Sequence, residues 1–412
     1  MIPILCHKAL THKVGAFFIL AVTKVALLLV LIITIGACQS RPVKVRHTQN
    51  TGEVKPQTIP QPIKSVIPGP FTVSFVGDVI LHERLRKRED ATQEGYNKIW
   101  QSIQPYLDAA DISYANLEGP VAPEYGGVTG FPMFNYPEQI ISDLKNNGFD
   151  IVSTANNHAL DRQAKGIRKT IENLKKNDLS FTGTVTSSDL AAQGIDKWYG
   201  LTPLPNTSSY IAWIACTEMT NGNPDKEELV LYCYKDREIV KALVEQLKQM
   251  PDIAGIIMTP HWGEEEKFEI ELGRKLWAHQ MIDLGAMAVV GSHPHVVQKI
   301  EDYQSKDGRQ TFIAYSMGNF ISNQPWTPTK ASMMLLAKFK MNTLRKLEVS
   351  DLKYIPLWMN RTIDADGTSK FRLEPVWTYA KKPADAVEIW KEQTGEKYRL
   401  KAPEQADLFL KK

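Results

Sequence analysis

Short apolar runs recur along this chain, and most of them stop on a small, amide, acidic or imidazole residue. Phe71–Val76, Ile112–Ala115, Phe149–Thr154, Tyr210–Ala215, Ile253–Thr259, Met287–Val290 and Thr311–Tyr315 are the right length and composition for strands. The segments between several of them have helical spacing. Ile99, Trp100, Ile103 and Leu107 mark one face of a helix expected over Tyr96–Leu107. Pro137 opens another, with Ile140, Ile141 and Leu144 inward and Asn147-Gly148 as its end. Ala164–Asn177 and Leu272–Leu284 complete the set. This alternation predicts an α/β protein with a largely buried sheet covered by helices. Beyond Phe320, Ala331–Lys340, Thr343–Ser350 and Asp351–Trp358 read as strands, with a helix over Ala384–Gln393. Those strands are expected to form an extra sheet layer of the same domain.

The amino terminus departs from this rhythm. Residues 1–37 carry Lys8, Lys13 and Lys24 and no acid, and Val25–Ala37 is nearly all apolar. Ile35-Gly36-Ala37 precedes Cys38, a pattern that resembles a bacterial lipoprotein signal. That resemblance implies cleavage before Cys38 and lipidation of its thiol. The run is shorter than the roughly 18–20 residues of a spanning helix. With Val14–Val22 upstream it also suits an uncleaved anchor. Either reading puts the folded part outside the inner membrane, in the cell envelope. Gln39-Ser40 lacks the aspartate of inner-membrane retention, which favours the periplasmic face of an outer membrane. Residues 38–70, broken by six prolines from Pro42 to Pro70, form a tether. The expected organisation is therefore signal 1–37, tether 38–70, a domain over 71–380 with added strands from 331, and a helix and tail over 381–412.

Charge excludes one class of partner. The chain has 49 Lys+Arg and 46 Asp+Glu, and losing the three amino-terminal lysines leaves 46 of each. A neutral mature domain gives no reason to expect nucleic acid. Arg84, Arg86, Lys87 and Arg88 form a local basic cluster, diluted by Glu83 and Glu89. It reads either as a solvated helix face or as an attractor for an anionic substrate. Removing Cys6 and Cys38 leaves Cys216 and Cys233, which either pair in an oxidising compartment or remain as two thiols.

The chemistry sits where the apolar runs end. Gly77-Asp78 follows the first strand, Asn116-Leu117-Glu118 the second, and Asn156-Asn157-His158 the third. Asn116 and Glu118 are two apart and share a side in extended chain. Asp161 lies about one helical turn past His158, placed to orient its ring. His261-Trp262-Gly263 follows Ala254–Thr259, and the glutamates at 264, 265 and 266 read as a solvated loop. His293-Pro294-His295 follows Val289-Val290-Gly291, and proline biases His293 toward an extended form that aims both rings inward. Imidazoles with carboxylates suit zinc, manganese or iron better than magnesium. Such a centre acidifies a water and offsets charge on phosphoryl oxygens.

Taken in order, Val76-Gly77-Asp78, Ala115–Gly119, Ser153–Asp161, His261–Glu264, Gly291–His295 and Ser316–Phe320 resemble the CapA family of poly-γ-glutamate capsule synthesis proteins. That family is similar to the calcineurin-like metallophosphoesterases. The resemblance covers residues 72–322 and implies an αββα sandwich holding one or two divalent transition metals. It implies Asp78 and His295 at a first metal, Asn157, His261 and His293 at a second, and Glu118 between them. His158 and Asp161 form the implied catalytic pair. Asn116 and Asn319 are implied to position ligands or substrate, with Arg84, Arg86 and Lys87 as further substrate contacts. One departure stands out. Many metallophosphoesterases have Asp-x-His on the first strand, whereas this chain has Ile80; His82 is the nearest replacement. The resulting expectation is a metal-dependent envelope hydrolase acting on a phosphoester or an anionic polymer such as poly-γ-glutamate. The alternative is a low-turnover capsule factor that binds polymer within a membrane synthesis complex. A structural lipoprotein on a decayed enzyme scaffold is the third reading.

Overall fold

The computed structural model describes residues 69–411 apart from 93, 94, 364, 366, 368 and 379–383. The expected signal, Cys38 and most of the tether lie outside the described residues. The first strands are β1 (Phe71–Val79), β2 (Ile112–Leu117), β3 (Ile151–Ser153) and β4 (Ser180–Thr182). They lie side by side and parallel. A second run contains β5 (Tyr199–Pro203), β6 (Tyr210–Thr217), β7 (Ile253–His261), β8 (Ala288–Val290), β9 (Ile300–Gln304) and β10 (Gln310–Ala314). These make a separate sheet in the order β5-β6-β7-β8-β10-β9. The remaining strands, β11 (Asn319–Ile321), β12 (Ala331–Met341), β13 (Leu347–Ile363) and β14 (Ser369–Pro375), return to the first sheet.

Alternation along the strands builds the core. Phe75 and Tyr114 point from the first sheet onto Trp213 of the second, and Tyr114 stacks on it at 5.4 Å between ring centroids. The opposite faces of both sheets are covered by helices: α1 (Glu83–Thr92), α2 (Gln104–Ala109), α3 (Gln139–Asn146), α4 (Gln163–Lys176), α5 (Ser187–Gln193), α6 (Arg237–Gln249) and α7 (Leu272–Leu284). Helix α3 buries Ile140, Ile141 and Leu144 on the first sheet, as their spacing predicts. Helices α6 and α7 bury Val240, Leu243, Met281 and Ile282 on the second. The expected αββα sandwich is the observed architecture. Helices α8 (Ala384–Gln393) and α9 (Pro403–Leu410) close the chain. Among the described residues no helix is long and apolar enough to cross a membrane.

Three local expectations are corrected. The single helix over Tyr96–Leu107 is instead two 3-10 turns, Tyr96–Ile99 and Gln101–Ile103, followed by α2. Pro105 cannot continue an α-helical ladder from the preceding turn, so the helix starts afresh around it. Its four marked apolar residues are buried all the same. The first half of the strand expected over Thr343–Ser350 is a turn, in which the Asn342 N–H donates to the Lys346 carbonyl at 2.8 Å. One long strand then runs from Leu347 to Ile363. Nor do the late strands form a separate layer. β12 pairs antiparallel with β1 from Phe71↔Phe339 to Phe75↔Leu335, so β12, β13 and β14 widen the first sheet.

The edge of β1 is shared. β12 covers its first half, and β11 takes over at Asp78↔Asn319, running parallel to it. The changeover brings Gly318 against Gly77: a Cβ added at Gly77 would lie 1.7 Å from the Gly318 carbonyl oxygen. That close approach leaves room at position 77 for glycine alone.

Candidate metal centre

The carboxyl ends of parallel strands from both sheets meet at one place. Asp78 lies near the end of β1, Glu118 just past β2, Asn157 past β3, His261 at the end of β7, and His293 and His295 past β8. All six are buried. Two wholly buried groups of potential metal ligands form there, Asp78–Glu118–His295 and Glu118–His261–His293, with ligand atoms of each group within 4.8 Å of one another. Glu118 belongs to both.

Hydrogen bonds define the arrangement. The Asn116 Nδ2 donates to Asp78 Oδ1 at 2.8 Å and to Glu118 Oε2 at 3.3 Å, tying the two carboxylates together. His295 Nδ1 lies 3.1 Å from Asp78 Oδ2, and its Nε2 lies 3.7 Å from Glu118 Oε1. His261 Nε2 lies 3.0 Å from Asn157 Oδ1 and 3.7 Å from the same Glu118 oxygen. The other nitrogen of His261 is 2.9 Å from Ser292 Oγ. The Asn116 Nδ2 lies 3.2 Å from the same nitrogen, so two polar groups hold the ring with Nε2 facing Asn157 and Glu118. Asn319 donates from Nδ2 to the carbonyls of His295 and Thr329 and to Gln324, so it fixes the backbone of the histidine pair.

The donor set fits a cation. Glu118 Oε1, Asn157 Nδ2 and His293 Nδ1 are buried without a hydrogen-bond partner. Burial, the Asp78 charge and the Glu265 charge push the Glu118 carboxyl well above the usual range. Burial holds the His293 ring down at about 3, with the His295 and His158 charges adding to it. Burial first, then the His293, His295 and His158 charges, keep His261 well below its ordinary value. Carboxylates packed together and imidazoles held neutral are what a divalent ion satisfies.

The backbone that aims the histidines differs from expectation. His293 has φ +98°, not the extended form that Pro294 was expected to favour, and His295 has φ +58°. The His293 N–H turns to Asp78 Oδ2 at 3.3 Å, and that contact belongs to the bent form. Side chains held at positive φ cost of order 1–3 kcal/mol and are maintained by surrounding structure.

His158 lies beside this cluster. Asp161 Oδ2 is 2.8 Å from its Nδ1 and also accepts the Phe134 N–H at 2.7 Å. The edge-on Phe134 ring, 4.6 Å away between centroids, packs against the imidazole. Asp161 thus orients the ring, and Nε2 faces outward toward Asn221 Nδ2 at 3.5 Å. His82 packs on Phe134 as well, but its Nδ1 accepts the Asn323 N–H at 3.2 Å. Its proton therefore sits on Nε2, and the ring has no lone pair left for a metal. Burial first, then the His295 and His158 charges, hold it down at about 4. Ile80 is buried and apolar, as the sequence implies.

On α1, Arg86 and Lys87 pair with Glu83 at 3.1 and 2.7 Å, while Arg84 is exposed. The cluster is thus partly neutralised on its own helix. Two contributors were not anticipated. Ser292, inside the Gly291–His295 motif, holds His261. Glu265 brings a carboxylate oxygen within 4.8 Å of the His293 and His295 ring nitrogens, although Glu264, Glu265 and Glu266 are exposed as expected of a solvated loop.

Residues 72–324 match the family model described as bacterial capsule synthesis protein PGA_cap. The chain belongs to that family. All the residues of the centre lie inside the PGA_cap match. Over 287 residues this PGA_cap chain is 29% identical to the PGA biosynthesis protein CapA of Bacillus subtilis (strain 168), covering 68% of this chain and 71% of that one. It is 28% identical over 290 residues to the capsule biosynthesis protein CapA of Bacillus anthracis, covering 68% and 67%. The NAD nucleotidase NadN of Haemophilus influenzae aligns in structure at 14% identity and a TM-score of 0.44, over 83% of this chain and 66% of that one.

Proposed function

We propose that this PGA_cap protein is a metal-dependent hydrolase of the bacterial cell envelope, acting on a phosphoester or an anionic capsule polymer such as poly-γ-glutamate. The sharing of Glu118 between two buried ligand groups carries this reading. One group would use Asp78, Glu118 and His295; the other would use Glu118, Asn157, His261 and His293. Divalent transition ions held there, manganese, iron or zinc, acidify a water and draw negative charge from the attacked group.

The chain's own residues do the rest. Asn116 keeps the carboxylates of Asp78 and Glu118 turned to the same side. Ser292 and Asn116 hold the His261 ring in one orientation. Asp161 accepts the Nδ1 proton of His158, so Nε2 is the nitrogen that exchanges a proton with a leaving oxygen. Phe134 walls the ring on one side and keeps it from turning. Arg84 on α1 is the exposed cation proposed to meet an anionic substrate.

Localisation follows from the same reading. A lipid on Cys38 and the proline-broken tether would hold the domain at a membrane, within reach of a capsule-synthesis complex. The bond between Cys216 and Cys233 supports an oxidising compartment.

One observation favours a second reading, a capsule factor with little turnover that binds polymer. With Ile80 buried and His82 committed to Asn323, the Asp78 group is short of an imidazole. Metal analysis of the purified domain separates the two, followed by assays on phosphomonoesters, phosphodiesters and γ-linked polyglutamate. The hydrolase reading expects bound transition metal and chelator-sensitive turnover. It also expects loss of about 100-fold or more in turnover for His293→Ala with the fold intact. Salt-sensitive polymer binding with no product on any substrate would establish the second reading instead.

A further inference from the structure

The Asp78–Glu118–His295 group supplies three ligands, and the two residues that sequence offers as a fourth are excluded. Ile80 has no donor atom. His82 spends its lone pair on the Asn323 N–H. Among the described residues, one more carboxylate joins the histidines: a Glu265 oxygen lies within 4.8 Å of ring nitrogens of both His293 and His295.

Its place is built by the loop that carries it. The Glu266 N–H donates to the Pro294 carbonyl at 2.8 Å, docking the loop onto the His293–His295 turn. At the other end, the Gly263 N–H donates to Glu218 Oε2 at 3.1 Å. Glu218 is itself held by Arg274 at 2.9 and 3.0 Å. Gly263 has φ +105°, and a Cβ there would come within 3.1 Å of the Pro294 ring. Two backbone anchors thus bracket Glu264 and Glu265 over the histidine pair. On the inner side, His293 Nδ1 is buried and without a partner. Asp78, Glu118 and Glu265 together bring three carboxyl groups to two imidazoles, an arrangement whose charges repel unless a proton or a cation lies among them, and a divalent cation serves all three.

We propose that Glu265 is a metal ligand, reaching the Asp78–Glu118–His295 group from the solvent side in place of the absent histidine. The inference rests on the metal centre proposed above. Unlike the six buried residues, Glu265 is exposed, so it stands on the side from which a substrate must enter. A ligand there is the one an incoming anionic oxygen would displace.

The test is metal binding by the whole mature domain, without any substrate. Manganese(II) is titrated into metal-free wild type, Glu265→Gln, Glu264→Gln and His261→Ala, with free ion counted by electron paramagnetic resonance. Urea midpoints check that each variant is folded. Glu265→Gln is expected to weaken one bound equivalent by about tenfold or more, while Glu264→Gln behaves as wild type. Wild-type affinity and stoichiometry in Glu265→Gln would overturn the proposal. If His261→Ala loses an equivalent while Glu265→Gln loses nothing, the centre stands and only the role of Glu265 falls. A folded wild type that binds no manganese and no zinc removes both.

Discussion

At the scale of single residues, the centre is a set of groups kept in protonation states and backbone forms they would not choose in water. His82, His261 and His293 all have ring pKa values below the ordinary 6.5 because burial disfavours their charged forms. An unfolded chain protonates them first as pH falls. Their contribution to metal-free stability is whole above about pH 6.5 and is lost as pH drops toward 3–4. Glu118 works in the opposite sense: its raised pKa gives a contribution present below 4.5 that fades as pH rises through the folded value. The three imidazoles oppose the one carboxyl, and the chelated protein is expected to lose stability between pH 7 and pH 5. Urea midpoints at the two pH values measure it, and a flat profile would show that these rings are not held neutral. Gly77 is decided by contact rather than charge. With Gly318 pressed against it, Gly77→Ala must separate β1 from β11, and a loss of about 3 kcal/mol is expected in a denaturation curve. An alanine variant as stable as wild type would mean that the approach is not as close as 1.7 Å.

At the scale of elements, hydrophobic spacing was a good guide wherever an element buries one regular face. Leu272–Leu284 and Ala384–Gln393 form where they were expected, and α3 buries its stripe. It misled where backbone chemistry overrode the pattern. Trp100 and Ile103 have helical spacing, yet Pro105 divides the segment. Thr343–Ser350 was expected as one strand, yet Asn342 and Arg345, with φ +61° at Arg345, make a turn over its first half. Cys216 and Cys233 illustrate a pairing that sequence left open. Cys216 lies in β6, and the Thr217 N–H donates to Leu231 while the Cys233 N–H donates back to Thr217, which brings the two thiols together. Closing a loop of 17 residues stabilises by about 3 kcal/mol through the unfolded chain. The double variant Cys216→Ser/Cys233→Ser is expected to lose about that much. Wild type in strong reductant should approach it, and identical curves with and without reductant would argue that the bond contributes nothing.

At the scale of the whole molecule, the site exists because two sheets present the ends of parallel strands to one another. β1, β2 and β3 bring Asp78, Glu118 and Asn157; β7 and β8 bring His261 and the His293–His295 turn. The aromatic packing of Tyr114 on Trp213 sets the spacing between those sheets. Much of this was legible beforehand. Each ligand follows an apolar run, because a buried parallel strand must be apolar and a functional side chain sits where it ends. Which residues meet was not legible from periodicity, since no local pattern encodes the distance between strands from different sheets. It came from the order of motifs shared with PGA_cap proteins. Sequence by itself determined a buried sheet covered by helices and the residue types gathered for metal chemistry, because each is written in local composition and spacing; the αββα layers and the histidine missing at Ile80 were legible only through the family resemblance. The tertiary structure alone decided that late strands widen the first sheet, that His82 faces Asn323, that the histidine turn is bent rather than extended and that Glu265 arrives over it. Those depend on which backbone groups approach across long sequence separations, a property of the packed chain rather than of any stretch within it.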